Sequence, residues 1–570
     1  MPVYFNDSID DILLYDRQAS FIGGQVSNFR ENLLNDSQAE LIKDMSPEIS
    51  GVLKTRRGFH RFANLLGSTS SSVDVRAIHF FDSDNRERVI AAVHNDLYEI
   101  ESDGTVAAIS VAANVLPSAA APAYMCQVAD KMYWSSDTTT SKIFELKYSG
   151  GAWVKTDSTD TTYPANSKYL IANSGRVFAY DPSGNQIFVS TILPDLAATS
   201  TLFTLGSTTI NPFKVGTGAE TVTGMYSWVG FNVVVFCENS IYLVDTNPLT
   251  AAAAAAGNAT STFKIRQVSN RSGAVSHRAV AQVGEDLIFL ASDGVRSLKR
   301  TMAEEMVAEQ SGVISYPIQD LIDSINWSAA AQKAAATFWN GLLLISVPIL
   351  SSTENNCVLV YSANTNSWIG YWQGNPDYNI KPVDFCIAAF GGYAEKLLTL
   401  DKVGNPMEFR DYVSPQNAVA TDYQDNFDGS NYRDTAWKAV TRGMTFGDQL
   451  SPKSPEFCEW EFDRSNAKVD IIPILDGDDA DRLVTDLDTG VGAVTLTADP
   501  LTGTPTGPVL PFTLSESKVR RFRYSLTQYD PFRELQFRIE QSTGDTGSSK
   551  YVSLRSIHSG AFMDTMEADQ

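Results

Sequence analysis

A hairpin that recurs along two thirds of the chain is the feature that most limits how this sequence can fold. Residues 273–298 contain its clearest copy: an apolar run at 287–290, a turn at 292–294 and a partner run at 295–298. Short strands joined by Gly, Asn and Asp turns are typical of antiparallel sheets. A supersecondary unit repeated in this way predicts a radial or stacked all-β architecture.

One apolar strand residue marks each copy, and the spacing of these markers fits the blade of a propeller. The markers are Ile90, Met132, Val177, Val234, Ile288, Leu343 and Leu398. Consecutive markers lie 42 to 57 residues apart, close to the roughly 40–50 residues of a propeller blade. We therefore expect an all-β fold built on a β-propeller of about seven blades, with six or eight as alternatives. Closure of such a ring leaves few strand edges exposed.

The repeat divides the 570 residues into four parts. We expect an N-terminal platform or attachment region at 1–75, the propeller at 76–412, a linker at 413–435 where the apolar pattern is lost, and a β-rich platform domain at 436–570. Several alternating or continuous strands in the last part predict an antiparallel β-sandwich-like domain. Within the propeller, the apolar residues of 317–327 share one helical face and predict a short helix.

The charge balance limits the partners of this chain. It has 67 acidic and 44 basic residues and a net charge of −23. Affinity for nucleic acid depends on Lys and Arg, so the average surface of this chain should repel DNA.

One basic segment departs from that balance. Its members lie within eight residues and are Lys54, Arg56, Arg57, His60 and Arg61. Two interpretations remain open for this segment. It is either a solvated strand end or a docking patch for a carboxylate-rich partner or for phosphate.

The sequence contains no motif for catalysis or for cofactor binding. GxxxxGK(S/T), HExxH, GxSxG and a strand-linked GxGxxG are all absent. The five cysteines are scattered and no two histidines lie at metal-ligand spacing, so neither disulfides nor a zinc site is indicated. The densest carboxylate cluster, at 476–481, departs from the calcium-loop pattern and favours a hairpin turn. We expect no enzymatic activity, no cofactor and no metal.

Targeting signals are also absent from the sequence. The first residues lack the basic and apolar parts of a secretory signal, and the longest apolar run, 341–350, is about half a membrane span. We expect synthesis in the cytoplasm and no membrane segment.

Segments spread over most of the chain resemble tail hub or nozzle proteins of short-tailed bacteriophages. The matching segments are 21–25 (FIGGQ), 33–40 (LLNDSQAE), 51–59 (GVLKTRRGF), 273–298, 441–443 (TRG) and 474–477 (ILDG). The resemblance implies a structural virion protein, present as a homohexameric ring in the phage tail below the portal and adaptor. Tail fibre or tailspike proteins would be further neighbours.

In the family that the chain resembles, both chain ends form a platform that attaches upward, and the ring surrounds a DNA channel for genome retention and ejection. The resemblance places Lys54 to Arg61 in the platform as attachment residues. DNA would slide along an acidic wall without specific binding. An alanine-rich insertion between two blades is a candidate for the loop that narrows the channel, and its residues are Ala251, Ala252, Ala253, Ala254, Ala255 and Ala256.

The alternative function is a carbohydrate-binding or glycan-cleaving β-propeller, such as a receptor-binding tail component. Trp368, Tyr371 and Trp372 would then stack on sugar rings. Their strand-rich surroundings favour core packing instead.

Overall fold

The computed structural model is a mostly β protein, which confirms the predicted fold class. It describes residues 13–48, 50–65, 75–83, 86–111, 116, 122–136, 143–157, 167–190, 210–216, 219–230, 232–246, 263–306, 312–375, 378–392, 395–401, 404–410, 420–426, 429, 432–462, 468–480, 483–488, 520–542 and 552–563.

In the described residues, six short strands precede the propeller along the chain. They are β1 (Leu13–Gln18), β2 (Gly24–Gln25), β3 (Gln38–Lys43), β4 (Met45–Pro47), β5 (Leu53–Thr55) and β6 (Phe59–Arg61).

The first four blades are antiparallel sheets of four strands each. Blade 1 contains β7 (Val75–Ser83), β8 (Arg86–Val93), β9 (Asp96–Ile100) and β10 (Val106–Ala108); blade 2 contains β11 (Ala123–Val128), β12 (Lys131–Ser136), β13 (Phe144–Ser149) and β14 (Ala152–Asp157). Blade 3 contains β15 (Leu170–Asn173), β16 (Arg176–Asp181), β17 (Gln186–Val189) and β18 (Ile210–Phe213); blade 4 contains β19 (Val222–Trp228), β20 (Asn232–Cys237), β21 (Ile241–Asp245) and β22 (Lys264–Ser269).

The last three blades are less regular. Blade 5 has three strands, β23 (Val280–Val283), β24 (Asp286–Ala291) and β25 (Gly294–Ser297), and three helices follow it, α1 (Leu298–Met306), α2 (Gln319–Asp323) and α3 (Trp327–Lys333). Blade 6 contains β26 (Ala335–Trp339), β27 (Leu342–Val347), β28 (Cys357–Ser362) and β29 (Ser367–Trp372), and a small hairpin of β30 (Gly374–Asn375) and β31 (Tyr378–Asn379) follows. Blade 7 contains β32 (Pro382–Ala388), β33 (Lys396–Asp401), β34 (Pro406–Phe409) and the earlier strand β6.

Seven hydrophobic clusters close these blades into a ring. Each cluster joins two neighbouring blades, and one of them joins blade 7 back to blade 1 through Ala388 and Val89. All seven sequence markers lie in the second strand of a separate blade. The marker spacing therefore found the blades because the second strand is buried between two neighbours and keeps a continuous apolar run.

Tight turns fix the register inside several blades. Asn340 and Gly341 join β26 to β27, and both have positive φ. Ser174 and Gly175 do the same between β15 and β16. Paired positive φ values are the geometry of a type I′ hairpin, whose twist matches that of the strands. The helix predicted over 317–327 is shorter than expected, because α2 ends at Asp323 and a new helix begins at Trp327.

The part of the C-terminal region that the structure describes contains eight strands: β35 (Lys438–Thr441), β36 (Lys453–Phe462), β37 (Lys468–Leu475), β38 (Asp478–Asp479), β39 (Val484–Asp488), β40 (Arg520–Ser525), β41 (Leu535–Gln541) and β42 (Ser553–Met563). The turn between β37 and β38 is Asp476-Gly477, so the carboxylate cluster at 476–481 contains the predicted hairpin turn.

Both ends of the chain build one platform. One sheet has the order β4-β5-β42-β36-β40, with β1 on β42, and a second contains β3, β35, β41 and β37. Their shared core includes Phe21, Ile42, Trp437 and Trp460, all almost completely buried. Burial of each large apolar side chain contributes about 1.5–3 kcal/mol. The described part of region 1–75 is therefore not a separate unit, because its strands complete the sheets of the C-terminal domain.

Two strand pairings among the described residues join the platform to the propeller. Strand β29 of blade 6 pairs in parallel with β3 of the platform. Strand β6 leaves the platform and completes blade 7 by antiparallel pairing with β34. The ring of blades is thus closed by a strand from the N-terminal region, which the sequence analysis had assigned to the platform alone.

Candidate functional site

The basic segment (Lys54, Arg56, Arg57, His60 and Arg61) lies where the chain crosses from the platform to the propeller. It covers β5, β6 and the connection between them. Its central residue, Arg56, has a fully buried side chain.

Arg56 forms a buried charge network with two carboxylates. Its Nε donates to Asp44 Oδ1 at 2.8 Å, and its two terminal nitrogens donate to Asp425 at 2.9 and 2.6 Å. Asp44 also accepts the backbone N–H groups of Gln373 and Gly374, and Asp425 accepts that of Phe59. We name Asp44, Arg56 and Asp425 the joint, since they connect the platform, blade 6 and blade 7.

Burial and partner charges act in opposite directions on the pKa values of Asp44 and Arg56. Desolvation raises the pKa of Asp44, and the charge of Arg56 opposes that rise. For Arg56 burial alone would lower the pKa, but Asp425 and Asp44 outweigh it and raise the pKa above its ordinary value. A buried charge is stable only while its partners are present, and removal of one partner costs about 3–5 kcal/mol.

The other members of the basic segment are also engaged within the chain. Arg57 is 7% exposed, with its guanidinium 4.1 Å from the centre of the Tyr423 ring. Lys54 pairs with Glu48 at 2.5 Å, and His60 Nε2 lies 3.0 Å from the carbonyl oxygen of Gln424.

These positions correct the docking interpretation for Arg56 and Arg57. Both side chains lie inside the molecule, where they hold its two bodies together, and neither can meet a partner at the surface. Lys54, His60 and Arg61 are half-buried, and for these three the attachment role stays a prediction. Residues of the predicted linker take part as well, since Asp422, Gln424 and Asp425 are buried.

A second charged cluster, which the sequence analysis missed, lies on the axis of the propeller. Arg278 immediately precedes blade 5. Its Nη2 donates to the carbonyl oxygens of Arg76 in blade 1 at 2.6 Å and Ala123 in blade 2 at 2.5 Å. Its Nε lies 3.8 Å from Asp384 of blade 7. Blades 1 and 2 are three positions from blade 5 around the ring, so this side chain crosses the centre. We call Arg278 and these contacts the axial tie.

Aromatic rings surround the axial tie. The guanidinium of Arg278 lies 5.5 Å from the centre of the Tyr124 ring. The neighbouring His277 stacks on Tyr169 at 4.8 Å, and its Nδ1 accepts the backbone N–H of Met225 at 3.2 Å. Burial, and then the charge of Arg278, lower the pKa of His277 to about 3. The imidazole is therefore neutral at ordinary pH and acts as a hydrogen-bond acceptor.

The carboxylate of the axial tie is also satisfied by the backbone. Asp384 accepts the N–H groups of Ile78 at 3.2 Å and of Phe385 at 3.0 Å. Burial raises the pKa of Asp384, while Arg278 lowers it. The contacts named above join Arg278 to blades 1, 2 and 7 of the ring, which is the arrangement of a structural clamp. The only sequence signal was the polar pair His277-Arg278 directly before an inner strand.

The remaining predicted features are the candidate channel residues, the aromatic residues considered for sugar stacking and the cysteines. The candidate channel residues Ala251 to Ala256 lie outside the described residues. Trp368 and Trp372 are 2% and 1% exposed, and both pack inside hydrophobic clusters instead of facing a sugar. All five cysteines are buried and free, and burial raises the pKa of the Cys237 thiol to about 11.

The described part of the chain has neither a metal-binding cluster nor a helix suited to a membrane. No group of three or more His, Cys, Asp or Glu residues is placed there to hold a metal ion. No helix among these residues is both long enough and apolar enough to cross a membrane.

Comparison with known proteins reveals similarity only at the level of fold. No protein-family model and no curated protein matches this sequence. The WD40 β-propeller domain of Doa1 is similar at 10% identity and a TM-score of 0.37, covering 64% of this chain and 99% of that one. A chain of the mitotic checkpoint complex is 11% identical with a TM-score of 0.36, and the match covers 61% of this chain and 95% of that one. The structure of YCF48 bound to D1 peptide is 8% identical with a TM-score of 0.36, and the match covers 61% of this chain and 97% of that one. We transfer no function from them, and the blade count rests on the sheet topology above.

Proposed function

We propose that this chain is a structural subunit of a short-tailed bacteriophage, a nozzle or hub protein that assembles into a ring below the portal and adaptor. Its proposed role is geometric: copies of the chain surround the channel through which the genome is retained and ejected. The proposal assigns it no enzymatic activity, and places it in the virion tail after synthesis in the host cytoplasm.

The observation that carries this proposal is the single platform built from both chain ends. In the family that the sequence resembles, such a platform attaches to the ring above. Five of the six resembling segments have described residues on platform strands or beside them, at 21–25, 33–40, 51–59, 441–443 and 474–477. A propeller carried on this platform adds size and outer surface to each copy.

The axial tie favours a DNA channel that lies between copies of the chain. It argues against a channel along the axis of one propeller. Arg278 crosses the centre of the ring and bonds to blades 1 and 2, so a nucleic acid strand would meet a side chain in its path. A channel for double-stranded DNA would instead be enclosed by several chains. With a net charge of −23 on each copy, an acidic wall would let DNA slide without binding.

Mass measurement of the purified full-length chain, alone and with purified adaptor complex, tests the proposal. We expect a hexamer, or monomers that become hexamers when the adaptor is added. A strictly monomeric chain that also ignores the adaptor would contradict it. Lys54→Gln with Arg61→Gln should weaken adaptor binding while the chain stays folded, whereas Glu285→Gln, in the exposed turn between β23 and β24 of blade 5, should leave it unchanged.

A further inference from the structure

An acidic cavity opens on the platform, away from the joint. Its volume is about 330 Å³, and its lining includes Glu31, Gln449, Asp476, Arg533 and Glu534. Glu31 belongs to the N-terminal part of the chain and the other four to the C-terminal part. The cavity therefore exists only because both chain ends form one domain.

The carboxylates of this cavity repel one another. Burial raises the pKa of Glu534, and the charges of Glu31, Asp476 and Glu40 raise it further. Within the described residues, Glu534 Oε1 is buried without a hydrogen-bond partner, and Arg533 forms no ion pair there with these carboxylates. Like charges that raise one another's pKa in one cavity are unfavourable until a cation joins them.

Large apolar side chains that neighbour the lining residues along the chain face solvent. Leu33 follows Asn32 of the lining and is 65% exposed, and Leu450 follows Gln449 and is 83% exposed. Phe29, two residues before Glu31, packs edge-on against Tyr316 at 5.8 Å, and both rings are about half exposed. Exposed apolar groups gathered at one place on a surface mark interaction sites more often than scattered ones do.

We propose that this acidic face, meaning the cavity together with Leu33, Leu450 and Phe29, which neighbour its lining residues along the chain, docks a basic and partly apolar segment of another protein. A Lys or Arg side chain of that segment enters the cavity and pairs with Glu534 and Asp476. Neighbouring aliphatic or aromatic residues cover the rim. Charge-assisted hydrogen bonds inside and apolar contact around them are the usual composition of a specific interface.

Charge complementarity selects the occupant. A second copy of this chain carries −23, so on average it is repelled, and a phosphate-bearing ligand is repelled more strongly. A basic protein segment is attracted and also relieves the repulsion among the carboxylates. The proposal goes beyond the function proposed above and does not depend on it. Binding to this face can be tested with the isolated full-length chain.

The test measures binding of a short fluorescent peptide that has a lysine between two leucines, followed by anisotropy at physiological ionic strength. Glu534→Gln with Asp476→Asn should weaken binding about tenfold or more, since each removes a partner of the lysine. Leu33→Ser with Leu450→Ser should also weaken it. The matched control is Asp96→Asn with Glu285→Gln, which removes the same charge from exposed propeller positions and should change affinity less than about twofold.

A second readout separates docking from folding. Glu534→Gln should leave the thermal midpoint unchanged or raise it, because it removes repulsion, while peptide binding falls. Equal losses in the cavity and control variants, or no loss in either, would overturn the proposal and indicate non-specific attraction to a negative protein. Self-association of the wild type that the cavity variant abolishes would also overturn it, because the occupant would then be a second copy.

Discussion

The basic segment and the acidic face use charge in opposite ways. In the basic segment, Arg56 is fully buried between Asp44 and Asp425, and Arg57 is buried against Tyr423. On the acidic face, Glu534 and Asp476 gather at a solvent-open cavity. At the joint one buried cation serves two buried carboxylates, whereas at the cavity the carboxylates of Glu31, Asp476 and Glu534 outnumber the one cation, Arg533. A local charge cluster in the sequence therefore does not by itself mark a docking site.

The largest expected effect concerns the buried joint. Arg56→Ala leaves Asp44 and Asp425 buried without their counter-charge and should cost about 3–5 kcal/mol of unfolding free energy. Chemical denaturation measures it. The control is Lys54→Ala, whose pair with Glu48 is half exposed and should contribute less than about 1 kcal/mol. Similar losses in the two variants would show that Arg56 is not buried as described.

The axial tie extends the internal use of cations to the propeller. Arg278→Ala removes two charge-assisted hydrogen bonds and leaves Asp384 without its nearest cation, so we expect a loss of about 3 kcal/mol. Arg278→Lys should recover part of it. Arg300→Ala, at an exposed position on α1, is the matched control, with an expected change under about 0.5 kcal/mol. An unchanged free energy of unfolding in Arg278→Ala would mean that this side chain does not cross the propeller axis.

The pH dependence of stability sharpens the comparison, because His277 stays neutral beside Arg278. Its pKa is about 3 in the folded chain and about 6.5 when unfolded. As the pH falls, the unfolded state binds the proton first. The contribution of neutral His277 to the free energy of unfolding is therefore fully present above about pH 6.5 and is lost as the pH falls toward 3. Between pH 7 and pH 5 the free energy of unfolding should fall by about 1–2 kcal/mol less in His277→Gln than in the wild type. Parallel pH profiles would contradict this.

The smallest effect concerns the exposed side. Glu534→Gln removes a charge repelled by Glu31, Asp476 and Glu40, and should stabilise the chain by less than about 1 kcal/mol because solvent screens the group. Differential scanning calorimetry beside Glu285→Gln measures the difference. A clear loss of stability in Glu534→Gln alone would mean that the carboxylate serves the fold and not a partner.

Much of the fold could be predicted from the sequence, because second strands buried on both faces, such as β24 and β27, must carry continuous apolar runs. The Asp476-Gly477 turn could be predicted for a similarly local reason. Closure of blade 7 by β6 could not, since it joins segments more than three hundred residues apart. Arg56 and Arg278 were misread or missed because their partners, Asp425 and Asp384, lie far along the chain and only the fold brings them together.

Negative-stain electron microscopy of the full-length chain, with adaptor complex where needed, tests the central claim most directly. We expect six-fold rings with a central hole enclosed by platforms, and separate propellers around the outside. Isolated particles under all these conditions, or a particle whose only hole is the axis of a single propeller, would contradict it.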